Sequence, residues 1–157
     1  MDSLDTSPYY VNMIDLNRQT ELRESIELFF FAYRAFTAQP DRILAERGLG
    51  RVHHRILYFV GHNPYVTVSE LLGILGVSKQ ALNGPMRQLM EMKLVAVNVA
   101  THDRRVKQLR LTPEGEALEA QLTGTQMQQL EAVFGAAGGK TTEAAWRDVM
   151  RVLPQLA

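Results

Sequence analysis

Cysteine is absent from the 157 residues, and with it go disulfides, thiolate metal sites, cysteine nucleophiles and thiol redox sensing. Long hydrophobic runs are absent too: no apolar stretch approaches the ~20 residues that span a bilayer. The opening MDSLDTSPYY is acidic where a secretory signal is basic, so a cytoplasmic protein with no membrane contact is expected. Also missing are internal repeats, low-complexity tracts, a glycine-rich phosphate loop, a nucleophile motif and an acid–base pair placed for catalysis. The carboxylates fall on helix surfaces, where they solvate a face. An enzyme is therefore the weakest reading, and no cofactor is expected. What is present is a chain with 46% hydrophobic residues, long enough to bury one core unaided.

Net charge is missing as well, since 17 Lys and Arg balance 17 Asp and Glu. The balance is a sum of unlike parts. Between Arg47 and Arg110 ten basic residues (Arg47, Arg51, Arg55, Lys79, Arg87, Lys93, Arg104, Arg105, Lys107, Arg110) face three acids (Glu70, Glu91, Asp103), a local charge of +7 that leaves −7 for the rest. A basic middle between acidic ends suits contact of that middle with a polyanion.

Apolar spacing marks the helices. From Asp15 to about Gln39, Leu22, Ile26, Phe29, Phe30, Tyr33 and Phe36 recur at three and four, with Pro40 expected to end or bend the helix before a short piece from Asp41 to Arg47. Val52, Ile56, Phe59 and Val60 define a second helix, closed by Gly61, Asn63 and Pro64. Two short helices then flank Gly76-Val77: Ser69 is read as the cap of the first, with Leu71, Leu72 and Leu75 buried, and Ser78 as the cap of the second, with Leu82, Met86 and Leu89 inward. This is helix-turn-helix spacing. Later, Thr112 to about Phe134 is helical, weakened in the middle by Thr123-Gly124-Thr125; GAAGGK, 135–140, reads as a linker. A last helix from Thr141 carries Ala145, Trp146, Val149, Val152, Leu153 and Leu156 on one face.

Between the paired helices and the long one lies the densest signal, DRRVKQLRLTPEG from Asp103 to Gly115. Leu94 to Ala100 reads as a strand, Thr101 to Arg105 as a basic turn and Val106 to Leu111 as the return strand. Thr112 can then cap a helix whose first residue is Pro113.

This order of elements resembles the MarR (multiple antibiotic resistance regulator) family over nearly the whole chain. The wing signature of that family is an Asp, an Arg two residues on, then Leu-Thr and a Gly three after the Thr; Asp103, Arg105, Leu111, Thr112 and Gly115 match it. The resemblance implies a mainly α fold with a small β-hairpin, residues 1–157 forming one domain. Segments 10–47 and 112–157 supply dimerisation helices, and 48–111 is the winged helix-turn-helix lobe. It further implies an obligate homodimer on a pseudo-palindromic site in double-stranded DNA, and repression relieved by a small molecule. Independently, the amphipathic end segments would expose Phe29, Phe30, Phe36 and Trp146 on a lone chain.

On that reading the second helix of the motif enters the major groove. Gln80 and Asn83, three apart on one face, suit adenine edges; Lys79 suits guanine or phosphate, and Ser78 combines capping with contact. Arg87 holds backbone, as Thr67 and Ser69 do from the preceding helix. In the wing, Arg105 probes a narrow minor groove, Asp103 braces its guanidinium, and Arg104 and Lys107 add phosphate contacts. Gly84-Pro85 falls inside the recognition helix and is expected to bend it without ending it. In the family, effectors sit in the crevice between dimer helices and DNA lobes, which would offer Phe30, Tyr33, Arg34, His53, His54 and Arg55 to an aromatic carboxylate. His53 and His54 point ~100° apart on a helix, so no metal site is expected. The alternative function is a winged-helix protein-interaction module without sequence-specific DNA binding.

Overall fold

Two prolines lie inside continuous helices, one of them at a position that reads as a helix end or bend. The computed structural model describes residues 15–157, so the acidic opening segment and residues 10–14 of the expected dimerisation segment lie outside the described residues. Helix α1 (Leu16–Ala45) is continuous through Pro40, where a helix end or bend before a short piece from Asp41 to Arg47 was expected. The missing N–H costs a helix interior about 3 kcal/mol. Against that cost stands burial, because Pro40 and Leu44 are both withdrawn from solvent.

Helix α2 (Arg51–His62) sends His53, Ile56, Leu57 and Val60 inward. Helix α3 (Val68–Leu75) is capped by Thr67, whose hydroxyl accepts the Glu70 N–H at 3.1 Å. This corrects the expectation that Ser69 caps it: Ser69 lies within the first turn. The signal was present as Thr67-x-x-Glu70, the capping-box spacing. Gly76 then turns the chain with φ 65°, its N–H bonded to the Leu72 carbonyl. Helix α4 (Lys79–Glu91) starts at the Ser78 cap, continues through Pro85, and buries Leu82, Met86 and Leu89.

Strands β1 (Val95–Val99) and β2 (Lys107–Leu111) pair antiparallel from Val95 opposite Leu111 to Val99 opposite Lys107. Burial follows their alternation near the base, where Val95, Leu109 and Leu111 join the core, and fades toward the tip, where Val97 and Val99 are exposed. Thr67 also bridges Gln108, and the Leu109 N–H bonds the Val66 carbonyl at 2.8 Å. The residues that lead into α3 therefore run along the outer edge of β2.

The base of the hairpin is closed by Thr112. Its hydroxyl donates to the Lys93 carbonyl at 2.6 Å and accepts the Gly115 N–H at 3.0 Å, while its own N–H bonds the Leu94 carbonyl at 3.0 Å. Helix α5 (Pro113–Ala136) begins there with proline first, as its sequence suggested. It continues through Gly124. Thr123 and Thr125 turn their hydroxyls back on the helix, to Glu119 Oε1 at 2.8 Å and the Leu122 carbonyl at 2.7 Å, which keeps them from competing for an open turn.

Contacts divide the described residues into two units. Thr37–Met127 form the winged unit; the described residues up to Phe36 and Gln128–Ala157 form the terminal unit. The winged unit is wider than the 48–111 span read from the sequence, because Leu44, Leu118 and Leu122 belong to its core. In the terminal unit, α5 ends at Ala136 and helix α6 (Lys140–Val152) starts one residue earlier than expected, followed by a 3-10 turn over Leu153–Leu156. Gly138 and Gly139, with φ 124° and 78°, make the link. Trp146 meets Phe134 edge to face at 5.5 Å, yet α6 has no buried residue. Among the described residues no helix is long and apolar enough to cross a membrane, and no group of three or more His, Asp or Glu could hold a metal ion.

Two glycines of α5 separate packing from propensity. A Cβ built on Gly115 collides with the Leu94 carbonyl, whereas one on Gly124 meets nothing within 4 Å. Gly115→Ala is expected to lower unfolding free energy by more than ~2 kcal/mol, because backbone must move. Gly124→Ala is expected to raise it by roughly 0.5–1 kcal/mol, the helix-interior gain of Ala over Gly. Urea titration of both variants checks the pair, and equal effects of one sign would contradict this account.

Candidate nucleic-acid interface

The winged unit gathers exposed cations and amides on two elements that share one core. On α4, Lys79, Gln80, Asn83 and Arg87 are all exposed, while Leu82, Met86 and Leu89 on the opposite side are buried. Gln80, Asn83 and Arg87 follow the three-and-four spacing of a single face. Ser78 accepts the Ala81 N–H at 3.1 Å, leaving its own O–H as a donor at the helix start. Free N–H groups and the dipole at that end favour an anion. Of the two candidates at the start of α3, Ser69 is exposed and Thr67 half-buried with its oxygen engaged in the cap.

At the hairpin tip, one carboxylate organises the arginine. Asp103 Oδ1 accepts from the Arg105 backbone N–H at 2.9 Å and from Nε at 3.2 Å; Oδ2 accepts from Nη2 at 3.2 Å. The Asp103 carbonyl takes the Val106 N–H at 3.1 Å, and Ala100 N–H bonds the Val106 carbonyl at 2.9 Å, which closes the tip. Arg105 keeps 91% of its side chain exposed although it is paired. The fork thus binds the brace by one edge and leaves its other N–H groups for a partner. Hydrogen bonds from the Arg105 side chain, then from its backbone, hold the Asp103 carboxyl below the ordinary 3.8. Arg104 and Lys107 are exposed beside it. Further down the ribbon, Arg110 Nε donates to Asn98 Oδ1 at 3.4 Å, a diagonal pair across the strands.

Of the six ligand candidates, Phe30, Tyr33 and Arg34 belong to the terminal unit and His53, His54 and Arg55 to the winged unit. Phe30 packs edge to face on Phe31 at 5.4 Å and stays largely exposed. His53 is buried, with both ring nitrogens hydrogen-bonded inside the fold, to Gly50 and to Gln88. His54 Nε2 lies 3.3 Å from the Thr123 hydroxyl. Burial lowers the His54 pKa from its ordinary 6.5, against the opposing pull of the Glu119 and Asp41 carboxylates. Sequence reasoning passed over Gln88 altogether. No local pattern marks it, since its partners lie dozens of positions upstream.

Comparison with known proteins places these features. The sequence profile of the MarR family matches residues 47–106. Over 133 residues, 85% of this chain and 80% of the relative, the sequence is 42% identical to the HTH-type transcriptional regulator PetP of Rhodobacter capsulatus. Among solved structures, the fold resembles the MarR family transcription regulator SP03579 with a TM-score of 0.74, at 20% identity, over 88% of this chain and 91% of that one. It resembles S. aureus MepR in complex with DNA with a TM-score of 0.67, at 17% identity, over 83% and 96% of the two chains. NadR in complex with 4-hydroxyphenylacetate gives 0.68 at 21% identity, over 82% and 91%.

Two titrations follow from the geometry. The Asp103 carboxyl should stay ionised until pH falls below 3.8, and Arg105→Ala should return its midpoint to the ordinary range; carboxyl carbon NMR across pH reads both. An unchanged midpoint in that variant would remove the brace. For His54 the unfolded chain binds a proton that the folded chain resists, in the interval between the lowered value and 6.5. Stability should therefore fall as pH drops through that interval and be fully present above it. Urea midpoints at successive pH values should show this slope, and His54→Gln should flatten it.

Proposed function

Because the chain belongs to the MarR family of transcription regulators, we propose that it works as a homodimer reading a pseudo-palindromic DNA site. In this reading α4 enters the major groove and the hairpin tip the flanking minor groove. The observation that carries it is the Asp103–Arg105 fork, which holds a guanidinium outward at the end of a ribbon rooted in the same core as α4. Gln80 and Asn83 read base edges, Lys79 reads guanine or phosphate, and Ser78, Thr67, Ser69, Arg87, Arg104 and Lys107 hold the backbone. S. aureus MepR, a structural neighbour, is known in complex with DNA.

Dimerisation is supported by surface chemistry. Phe29, Phe30, Phe31 and Ile26 on α1 and Trp146, Val149, Val152, Leu153 and Leu156 at the C-terminus are exposed on the single chain, more apolar surface than a soluble monomer ordinarily shows. A second copy is the partner we assign to them. Release by a small aromatic acid belongs to the same proposal. NadR, another structural neighbour, is known in complex with 4-hydroxyphenylacetate. The regulator thus acts as a repressor relieved by ligand.

The test is titration of the DNA upstream of the regulator's own coding sequence by fluorescence anisotropy at several salt concentrations. Wild type should bind as two chains per site, with a preference over scrambled DNA. Arg105→Ala should lose ~10- to 100-fold in affinity, roughly 1–3 kcal/mol, and about one unit of salt slope. Equal affinity for promoter and scrambled DNA would replace this reading by that of a winged-helix interaction module.

A further inference from the structure

Helix α2 opens at Gly50, which has no side chain to cap it. His53 supplies the cap from inside the helix. Its Nδ1 accepts the Gly50 N–H at 2.9 Å, and its own N–H returns to the Gly50 carbonyl at 3.0 Å, a reciprocal pair of the capping-box kind. A ring nitrogen that accepts from a backbone N–H carries no proton, so in the neutral imidazole the proton sits on Nε2. That nitrogen lies 2.9 Å from Gln88 Oε1 and donates to it. With Oε1 fixed as acceptor, Gln88 Nε2 is the donor, and it reaches the Gly48 carbonyl at 3.2 Å. Each assignment forces the next.

Gln88 belongs to α4, where it is half-buried and follows Arg87 by ~100° around the axis. It is therefore off the exposed face that carries Gln80, Asn83 and Arg87. The other anchors of α4, Leu82, Met86 and Leu89, are apolar, and apolar packing is non-directional. A hydrogen bond is directional. The ring that grips Gln88 is only 8% exposed, so water competes poorly for it.

We propose that Gln88, gripped by His53, is a positioning residue for DNA reading: the His53–Gln88–Gly48 relay fixes the rotation of α4 and so sets where Gln80 and Asn83 meet the bases. The proposal rests on the DNA-reading assignment above. It is specific about roles, since Gln88 itself touches no DNA and His53 acts through it.

Gln88→Met keeps side-chain length and leaves the Gly50–His53 cap in place, while Gln88→Glu keeps the acceptor for His53 but replaces the donor to Gly48 by a second acceptor oxygen and adds a negative charge. With promoter and scrambled DNA compared, Gln88→Met should lower the affinity ratio by roughly five- to tenfold, the size of one neutral hydrogen bond. Affinity for scrambled DNA and the salt slope should not change. Gln88→Glu, which keeps the His53 half of the relay, should fall between Gln88→Met and wild type. Nitrogen-15 NMR of the wild-type His53 ring should show the proton on Nε2 and a bare Nδ1, with the Nε2 proton exchanging faster in Gln88→Met. A full promoter preference in folded Gln88→Met, a uniform loss on both DNAs, or a proton on Nδ1 would overturn the proposal. Wild type that fails to discriminate the two DNAs would instead overturn the DNA-reading assignment, with the His53 tautomer still deciding whether the relay exists.

Discussion

The winged unit depends on a single hydroxyl. Thr112 donates to the carbonyl that follows α4 and accepts from the first turn of α5, while its backbone N–H holds the Leu94 carbonyl. One side chain thus joins the end of one helix, the start of another and both strands of the hairpin. An N-cap of this kind stabilises by about 1 kcal/mol, but its geometric effect is larger. The clamp is tight enough that Gly115 has no room for a methyl group against Leu94. Leu111, Thr112 and Gly115 occur together because one flanks the core, one ties the knot and one lets the knot close.

Much of this was legible in the chain because it is local. Ser78, Gly76, Thr112 and Pro113 mark helix ends through interactions spanning three or four residues, and each stands where the sequence places it. The Asp103–Arg105 brace is equally local and equally legible. Pro40 does not end its helix, because the local rule that stops a helix at proline is opposed by burial of its ring. Ser69 was preferred over Thr67 although the Glu70 that completes the capping spacing follows Thr67 by three. The bridge from Thr67 to Gln108 and the His53–Gln88 relay leave no periodic trace, since each joins elements whose separation in sequence carries no meaning in itself.

Charge is arranged on the same principle of local placement. A chain with no net charge presents cations where they are wanted by concentrating them between Arg47 and Arg110 and placing acids where they serve the fold. Asp103 is the clearest case. Its negative charge lies at the tip of a basic ribbon, yet both oxygens are turned onto Arg105, so that it organises the neighbouring cation.

The bridge between Thr67 and Gln108, with Val66 bonded to Leu109, makes the hairpin's return strand a shared boundary. On one side it pairs with β1, and on the other it carries the segment that starts the helix-turn-helix. Register is thus set at the root by three neighbouring lengths of backbone, and the Ala100–Val106 hydrogen bond carries it on to the tip. The start of the helix-turn-helix and the root of the wing are thus one continuous piece of hydrogen-bonded backbone, so that neither shifts without the other.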